Sequence, residues 1–336
     1  MVKSVELLDC IAELRKAKEV ASLFTAMRAP EQAAWIEDTA RRLSPPPPSA
    51  PAVCVLDSGV TWAHPLLRPL ISDADVHTYD PQWGLGDDAL RWRGHGTLMA
   101  GLAAHGDLVE VLPAMKPESL EHRLESVRIV PPSGFARLPA DPKLFGYVTA
   151  QAAALVEIAA PQRPRVFALA VTADDERDRG APTAWSAEID RLSFGADGHV
   201  QRLFIVCAGN VDEQADVDRY PDANVTSAIR DPAQSWNAIT VGAMTDKVTL
   251  SDAKYPGWSP VAPRGSLSPT SRTAVTCAPI CPRKPDVVME GGNGARNPVT
   301  GSVELLDELA LLSTSANLGG RMLAPHGDTS AATALA

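Results

Sequence analysis

The sequence predicts an α/β fold with a doubly wound, mostly parallel sheet, helices on both faces and a helical segment at the N-terminus. From residue 52 onward, apolar segments typical of strands alternate with segments of helical periodicity, an order typical of parallel sheets. The strand segments are continuous apolar runs, as expected for strands buried on both faces. The 336 residues suffice for one large α/β domain or two smaller ones.

The individual elements follow from apolar runs and from spacings of three and four residues. Strands are predicted at 52–56, 126–130, 165–171, 202–207 and 238–242. Helices are predicted at 95–105, 144–160 and 183–196. A further helical stretch is predicted at 303–312, on the spacing of its valine and leucine residues.

The N-terminal segment, residues 1–43, has the apolar periodicity of helices from residue 4 onward, and Pro30 is expected to divide it into two helices. Residues 44–51 contain a run of four prolines, which favours an extended, stiff spacer. We therefore predict three parts: the helical segment 1–43, a linker 44–51 and a main domain 52–336.

Composition and charge narrow the range of functions. The net charge of −10, from 41 acidic and 31 basic residues, argues against nucleic acid as the main partner. No run of 18 apolar residues occurs, so a membrane span is not expected. The N-terminus carries Glu6 and Asp9 where a secretory signal peptide has an apolar core, which favours a cytoplasmic location.

Five cysteines, an odd and sparse set, do not predict a disulfide-stabilised scaffold. Cys54 and Cys207 lie inside apolar strands and are expected to be small core residues. Cys277 and Cys281 have too few neighbouring ligands for a zinc site, which usually needs four. No metal site is therefore predicted.

Four short motifs occur in a fixed order. Asp57, Ser58 and Gly59 follow an apolar strand; His95 lies between two glycines and begins a helical stretch; Asn210 follows Ala208 and Gly209 at a strand end; Ser330 opens a stretch of small residues. Each motif alone is a common turn or helix cap. Their joint occurrence in this order indicates a hydrolase site.

Asp, His and Ser together supply the groups that nucleophilic catalysis needs. A serine hydroxyl needs a histidine to accept its proton, and that imidazole needs a carboxylate to fix its tautomer. Asp57 ends a strand and His95 lies in the first turn of its predicted helix. The side-chain amide of Asn210 is able to donate a hydrogen bond to a developing oxyanion. The backbone N–H of Ser330, at a helix start, is a second such donor.

The motifs and their flanks resemble the subtilase family, over roughly residues 52–336. The order Asp, His, Ser is that of subtilisin. His64-Pro65-Leu66-Leu67 is similar to the segment that follows the family's Asp motif, which makes His64 structural and His95 the base. Lys284-Pro285-Asp286 resembles the strand before the Ser loop. The resemblance implies a subtilisin-like fold and endopeptidase activity through an acyl-enzyme.

The resemblance also implies where a peptide would bind. Val171, Thr172 and Ala173 follow the strand that leads to the family's substrate-binding edge, although the family's usual Ser-x-Gly is absent. Ala208 and Gly209 lie beside the oxyanion residue, and the segment after it is expected to line the pocket for the residue before the cleaved bond.

Three features depart from the family pattern. Asp328 occupies the position of the glycine in Gly-Thr-Ser, where its carboxylate is expected to crowd the site or raise the pKa of His95. Thr333 replaces a common proline. The chain ends at Ala336, soon after Ser330, so we expect the domain to be truncated at its C-terminal end.

The leading hypothesis is an intracellular serine endopeptidase in which Asp57, His95 and Ser330 form the catalytic set. A catalytically impaired binding or regulatory protein stays an alternative, supported by Asp328 and the early chain end. An esterase or amidase would use the same residues.

A peptide or protein is the expected substrate, and no cofactor is predicted. Subtilases often bind structural calcium, but this sequence contains no EF-hand-like loop. The acidic pairs Asp73 and Asp75, Asp87 and Asp88, and Asp174 and Asp175 are predicted to be solvated loops. Residues 1–43 are expected to pack on the catalytic domain, to contact a regulatory partner protein or to act as an inhibitory segment.

Overall fold

An eight-stranded sheet forms the centre of the protein. The computed structural model describes residues 20–88, 90–135, 144–173, 180–196, 198, 200–212, 214–277 and 281–336. In chain order the strands are β1 (Leu43–Ser44), β2 (Ala52–Asp57), β3 (Val76–Thr78), β4 (Glu118–Ser119), β5 (Arg123–Arg128), β6 (Arg165–Leu169), β7 (Leu203–Cys207), β8 (Ile239–Thr245), β9 (Ser259–Pro260), β10 (Ser266–Leu267), β11 (Val287–Glu290), β12 (Gly294–Arg296), β13 (Val303–Leu305), β14 (Leu311–Thr314) and β15 (Leu323–His326). The α-helices are α1 (Ala21–Thr25), α2 (Ala29–Arg42), α3 (His95–His105), α4 (Leu108–Val111), α5 (Phe145–Ala159), α6 (Ala184–Phe194), α7 (Gln214–Val217), α8 (Asp222–Thr226) and α9 (Asp328–Leu335).

The central sheet is mostly parallel. β2 lies between β5 and β6, and β7, β8 and β11 continue the sheet in parallel on the β6 side. β3 lies beyond β5, and β10 is the antiparallel exception beside β8. The five predicted strands and the three helices predicted at 95–105, 144–160 and 183–196 are confirmed, with bounds that differ by a few residues at most.

Helices cover both faces of this sheet. Because successive side chains of a strand point to opposite faces, Cys54 packs with Ile189 of α6 while Val55 packs with Met99 of α3. Ala332 of α9 packs on the α3 side with β8. Burial on both faces explains why the strand segments are apolar throughout.

The N-terminal segment forms a helical pair over its described part. Pro30 lies in the first turn of α2, where its missing N–H costs no intrahelical bond. Glu31 accepts a hydrogen bond from the Arg28 N–H at 2.8 Å, which caps the helix start. The division predicted at Pro30 is confirmed. The apolar residues predicted before Val20 lie outside the described residues.

This helical pair packs on the main domain. Phe24 and Ile36 are buried in one cluster with Leu108 of α4 and Leu323 of β15. The connection to the main domain is anchored too, because β1 pairs with β4 and the Ser44 carbonyl accepts the Leu120 N–H at 3.0 Å.

The helix predicted at 303–312 is wrong. Residues 303–305 form β13, which pairs with β12, and a short 3₁₀ turn at Asp307–Leu309 leads into β14. Val303 is buried while Leu305 is 58% exposed. The spacing of three and four therefore joins residues of separate short elements, whose backbone groups pair with neighbouring strands.

Three residues of the acidic pairs, namely Asp75, Asp87 and Asp88, do not lie in solvated loops as the sequence predicted. Asp75 is 5% exposed and pairs with Arg123 at 3.0 Å and Arg163 at 2.6 Å. Burial opposes its ionisation, but the hydrogen bonds from Ser72 and both arginines outweigh burial and lower the pKa of Asp75 to about 2. Asp73 is exposed, as predicted. Asp174 and Asp175 lie outside the described residues.

Cys54 and Cys207 are buried free thiols, which confirms their prediction as core residues. Cys277 and Cys281 form a disulfide, which the cysteine count did not predict. Among the described residues, no helix combines the length and the apolarity needed to cross a bilayer. Over the same ranges, no three His, Cys, Asp or Glu side chains are grouped so as to hold a metal ion.

Candidate active site

Asp57 is the last residue of β2, at the carboxyl edge of the central sheet. It is 1% exposed, and its carboxylate accepts the Ser58 N–H at 2.7 Å. Both carboxylate oxygens also lie near His95 Nδ1, at 2.8 and 2.9 Å. The strand end thus holds a buried carboxylate against one nitrogen of the imidazole.

His95 is the first residue of α3, and the two glycines around it have different tasks. Gly94 has φ +71°, in the left-handed region, and a Cβ there would lie 2.7 Å from the Ala316 Cβ. A Cβ on Gly96 would collide with the Gly59 carbonyl, at the turn that follows Asp57. The Gly-His-Gly motif therefore lets the helix start approach the end of β2 closely.

Burial and neighbouring charges both affect the pKa of the His95 imidazole. Its side chain is 24% exposed. Burial opposes its protonation, but the charge and hydrogen bond of Asp57 outweigh burial, and Asp87 and Asp328 add to them. The pKa of His95 consequently lies above its ordinary value of 6.5.

Ser330 lies in the first turn of α9, a helix that packs against α3 and the sheet. Its side chain is buried, and its hydroxyl donates to the Ala170 carbonyl at 3.3 Å, just beyond the end of β6. Within the described part of the chain, this hydroxyl is hydrogen-bonded to Ala170 and not to His95. The structure thus joins Asp57 to His95 and leaves the serine on a neighbouring acceptor.

Asn210 lies three residues after β7 and faces the turn before Ser330. Its side-chain oxygen accepts the Thr329 N–H at 3.1 Å and the Thr329 hydroxyl at 2.6 Å. Because Thr329 occupies the oxygen end of the amide, the nitrogen end remains as the donor. The backbone of Asn210 is held by a bridge to Ser271.

Asp87 supports this site, although the sequence predicted a solvated loop. It accepts the Ser58 hydroxyl at 2.7 Å and both the N–H and the hydroxyl of Thr97, at 2.7 and 2.6 Å. Burial raises the pKa of Asp87, while the bonds from Thr97 and Ser58 oppose that rise. Asp87 therefore connects the residue after Asp57 with the first turn of the His95 helix.

Asp88 is also buried but serves the loop instead. It accepts backbone N–H groups of Leu90 at 2.8 Å, Arg91 at 3.0 Å and Ser133. The only sequence signal for either carboxylate was its position shortly before the Gly-His-Gly motif. Sequence alone does not distinguish the two residues, because their roles depend on which way the loop turns.

His326 is a second histidine at the site, and no sequence motif indicated it as a site residue. It ends β15, four residues before Ser330, and its ring lies edge-to-face with the His95 ring, with centroids 5.3 Å apart. Its Nε2 is buried with no hydrogen-bond partner among the described residues. Burial lowers the pKa of His326 to about 3, and the neighbouring His95 adds to that shift.

Asp328 takes the backbone conformation that a glycine would take. Its φ is +68°, in the left-handed region, and its N–H donates to the Gly291 carbonyl at 2.7 Å. Burial raises the pKa of its carboxyl, against a hydrogen bond from Thr270. Asp328 therefore holds a side chain in a backbone conformation that favours glycine, and the crowding of the site that the sequence indicated stays a prediction.

The predicted substrate-binding residues differ in how far their backbone groups are engaged. Ala208 donates to Val241 at 2.9 Å and accepts from Arg230 at 3.0 Å. Ala173 donates to Asp231 at 2.9 Å. Gly209 has φ +91° and lies against the Arg230 side chain. Val171 and Thr172 are half-buried, just beyond the end of β6.

His64 has a structural role and not a role in the candidate site. It is fully buried, and its Nε2 lies 3.0 Å from the Met322 carbonyl. This agrees with the structural part that the sequence predicted for it.

Comparison with known proteins identifies the fold. A lanthipeptide protease of known structure gives a TM-score of 0.50 at 14% identity, over 85% of this chain and 70% of its own. The epidermin leader peptide processing serine protease of Staphylococcus aureus gives 0.49 at 16% identity, over 96% of this chain and 70% of its own. No curated protein sequence matches the chain. The model of the subtilase family matches residues 49–336, and the chain therefore belongs to that family, the subtilisin-like serine endopeptidases.

Proposed function

We propose that this protein cleaves peptide bonds with Ser330 as nucleophile, His95 as general base and then acid, and Asp57 as the group that orients His95. The observation that carries the proposal is the contact of Asp57 with His95 Nδ1 at 2.8 Å, which leaves Nε2 as the proton acceptor. α9 packs against α3, so the helix that carries Ser330 adjoins the helix that carries His95.

The reaction begins with rotation of the Ser330 side chain from the Ala170 carbonyl towards His95. The serine oxygen then attacks the peptide carbonyl carbon while its proton passes to His95 Nε2. Collapse of the tetrahedral intermediate breaks the C–N bond, and His95 returns the proton to the leaving amine. A water molecule hydrolyses the resulting acyl-enzyme by the same sequence of proton transfers.

Two donors stabilise the oxyanion in this proposal. One is Asn210 Nδ2, since the other end of this amide is held by Thr329. The other is the Ser330 N–H in the first turn of α9, where backbone N–H groups lack intrahelical partners. Loss of one such donor from subtilisin lowers the rate by about 100- to 1000-fold, and we expect a similar loss in Asn210→Ala.

We expect the substrate to bind beside Val171 and Thr172. The backbone groups of Ala208 are both engaged within the protein, so pairing with a peptide falls to these two residues. Gly209 lies against Arg230, and we expect it to adjoin the pocket for the residue before the cleaved bond. An intracellular location stays a prediction of the sequence.

Hydrolysis of a quenched fluorescent peptide library, compared with that of a p-nitrophenyl ester, tests the proposal. We expect peptide turnover that Ser330→Ala abolishes, with new termini identified by mass spectrometry. Turnover of the ester alone would support the esterase alternative. Binding of library peptides without turnover of either substrate would support the impaired binding protein instead.

A further inference from the structure

The hairpin of β14 and β15 spans the distance between the two helices that carry His95 and Ser330. On β14, Ser313 donates to the Leu98 carbonyl at 2.5 Å and Thr314 donates to the Thr97 carbonyl at 2.8 Å, both in the first turn of α3. β15 leads through His326 directly into α9. A shift of this hairpin would therefore move the nucleophile relative to the base.

The outer side of this hairpin is covered by the N-terminal helical pair. Phe24 and Ile36, each 1% exposed or less, pack with Leu312 of β14 and Leu323 of β15. Thr25 donates to Asp307 at 2.6 Å, in the turn that precedes β14. The apolar face of the helical pair is thus buried against the main domain of the same chain.

Gln32 makes the central polar contact of this interface. It is fully buried on α2. Its Nε2 donates to the Phe24 carbonyl at 2.8 Å, and its Oε1 accepts the Leu323 N–H at 3.0 Å. A buried N–H that loses its acceptor is costly, so this one amide fixes α1, α2 and β15 against each other.

The contact lies at a point where β15 is held from two sides. The carbonyl of Met322, one residue earlier, receives the Ser315 N–H at 2.7 Å and lies 3.0 Å from His64 Nε2. His64 belongs to the main domain and Gln32 to the N-terminal segment. The start of β15 is thus located by both parts of the chain.

We propose that residues 20–43 form a brace that aligns nucleophile and base, and that Gln32 is the positioning residue through which the brace acts on Ser330. This inference rests on the proposed function of Ser330. It gives residues 20–43 a task in assembling the site, while the contact of residues 1–43 with a regulatory partner stays a prediction.

Full-length Gln32→Met tests the brace, because it keeps an unbranched side chain of similar size and removes both hydrogen bonds. Thr39→Val is the matched control. Thr39 is fully buried on the same helix and accepts a bond from Arg42 at 3.0 Å, away from β15. The readouts are the rate of fluorophosphonate labelling, the melting temperature and hydrogen exchange of the peptide that covers residues 322–330.

We expect Gln32→Met to label about tenfold more slowly, since small displacements of reacting groups cost large factors in rate. Exchange over 322–330 should rise in the same variant. Thr39→Val should lose melting temperature without either effect. Gln32→Glu, which keeps an acceptor for the Leu323 N–H, should recover part of the labelling rate and remains informative if Gln32→Met does not fold.

Two results would overturn the brace: an unchanged labelling rate in folded Gln32→Met, or equal losses of rate in Gln32→Met and Thr39→Val. If the parent protein itself does not label, the proposed function fails. The exchange data then decide on the brace separately, because unchanged protection of residues 322–330 in Gln32→Met would refute it.

Discussion

His95 and His326 pack edge-to-face with ring centroids 5.3 Å apart. The two rings differ in their affinity for a proton. Asp57 outweighs burial and raises the pKa of His95, whereas burial lowers the pKa of His326 to about 3. The His95 imidazole is therefore adapted to take up a proton, whereas the His326 imidazole stays neutral at pH values well above its pKa.

Replacement of His326 tests whether the neighbouring ring acts by packing alone. In His326→Phe the edge contact persists, and the buried Nε2, which has no hydrogen-bond partner in the described ranges, disappears. We therefore expect equal or higher thermal stability and labelling within about threefold of the parent. His326→Ala should lose the ring contact, worth about 0.5–1.5 kcal/mol, and label more slowly. Melting curves and fluorophosphonate kinetics provide the measurements. A large loss of activity in the Phe variant would show that the imidazole itself takes part.

The pH dependence of labelling should report the His95 pKa. His95 accepts a proton only when it is neutral, and its pKa is raised above 6.5 by Asp57 against the effect of burial. Activity should therefore fall as the pH decreases through a single ionisation above 6.5. His326, with a pKa of about 3, should contribute nothing at these pH values. A midpoint below 6.5 would contradict the assignment.

Asp87→Asn should move this midpoint to lower pH. It removes a negative charge that raises the His95 pKa, and it places an amide where Ser58 and Thr97 both donate. Arg128, whose guanidinium donates to the Ser58 carbonyl at 2.8 Å, is a cation near Asp87 and remains in place. We expect slower labelling as well, because both ends of the Asp57–His95 pair lose a support. The full rate-against-pH curve is the measurement.

The adjacent Asp88→Asn is the matched control for Asp87→Asn. Asp88 is equally part of the loop and accepts backbone N–H groups, but its partners are Leu90, Arg91 and Ser133. This control should lose stability and keep the midpoint of the parent. Equal shifts of the midpoint in the two variants would refute the positioning role of Asp87.

Asp328→Gly should stabilise the protein. A side chain at φ +68° costs about 1–2 kcal/mol, and burial also disfavours the charged carboxyl. Asp328→Asn keeps a side chain in the strained conformation while it removes the charge. We expect a higher melting temperature for both variants, with the larger rise in Asp328→Gly because it also relieves the backbone strain, and a lower labelling midpoint for both. A lower melting temperature in Asp328→Gly would show that the carboxyl contributes more than it costs.

Sequence patterns predicted the elements whose signals are long and regular. β2, β6, β7 and α3 were all expected, because strands buried on both faces are apolar throughout and α3 begins at the Gly-His-Gly motif. The helix prediction for residues 303–312 was wrong, because short strands with long-range partners have apolar residues at the same spacing as a helix. Local periodicity contains no information on such partners.

The contact between two of the candidate site residues was predicted, whereas the residues that support them were not. Asp57 and His95 meet as expected, but Asp87 had no signal apart from its nearness to the His motif. Gln32 lay in a helical pattern where a buried amide looks like any polar residue. These roles arise from contacts between residues far apart in the chain, which a single sequence does not reveal.

Fluorophosphonate labelling, followed by mass spectrometry of the labelled peptide, shows whether Ser330 is a nucleophile activated by His95. Ser330→Ala and His95→Ala are the comparisons. We expect one label per chain, located on Ser330, with no label in Ser330→Ala and a severely reduced rate in His95→Ala. Folded protein that remains unlabelled, or that carries its label on another residue, would show that Ser330 is not such a nucleophile.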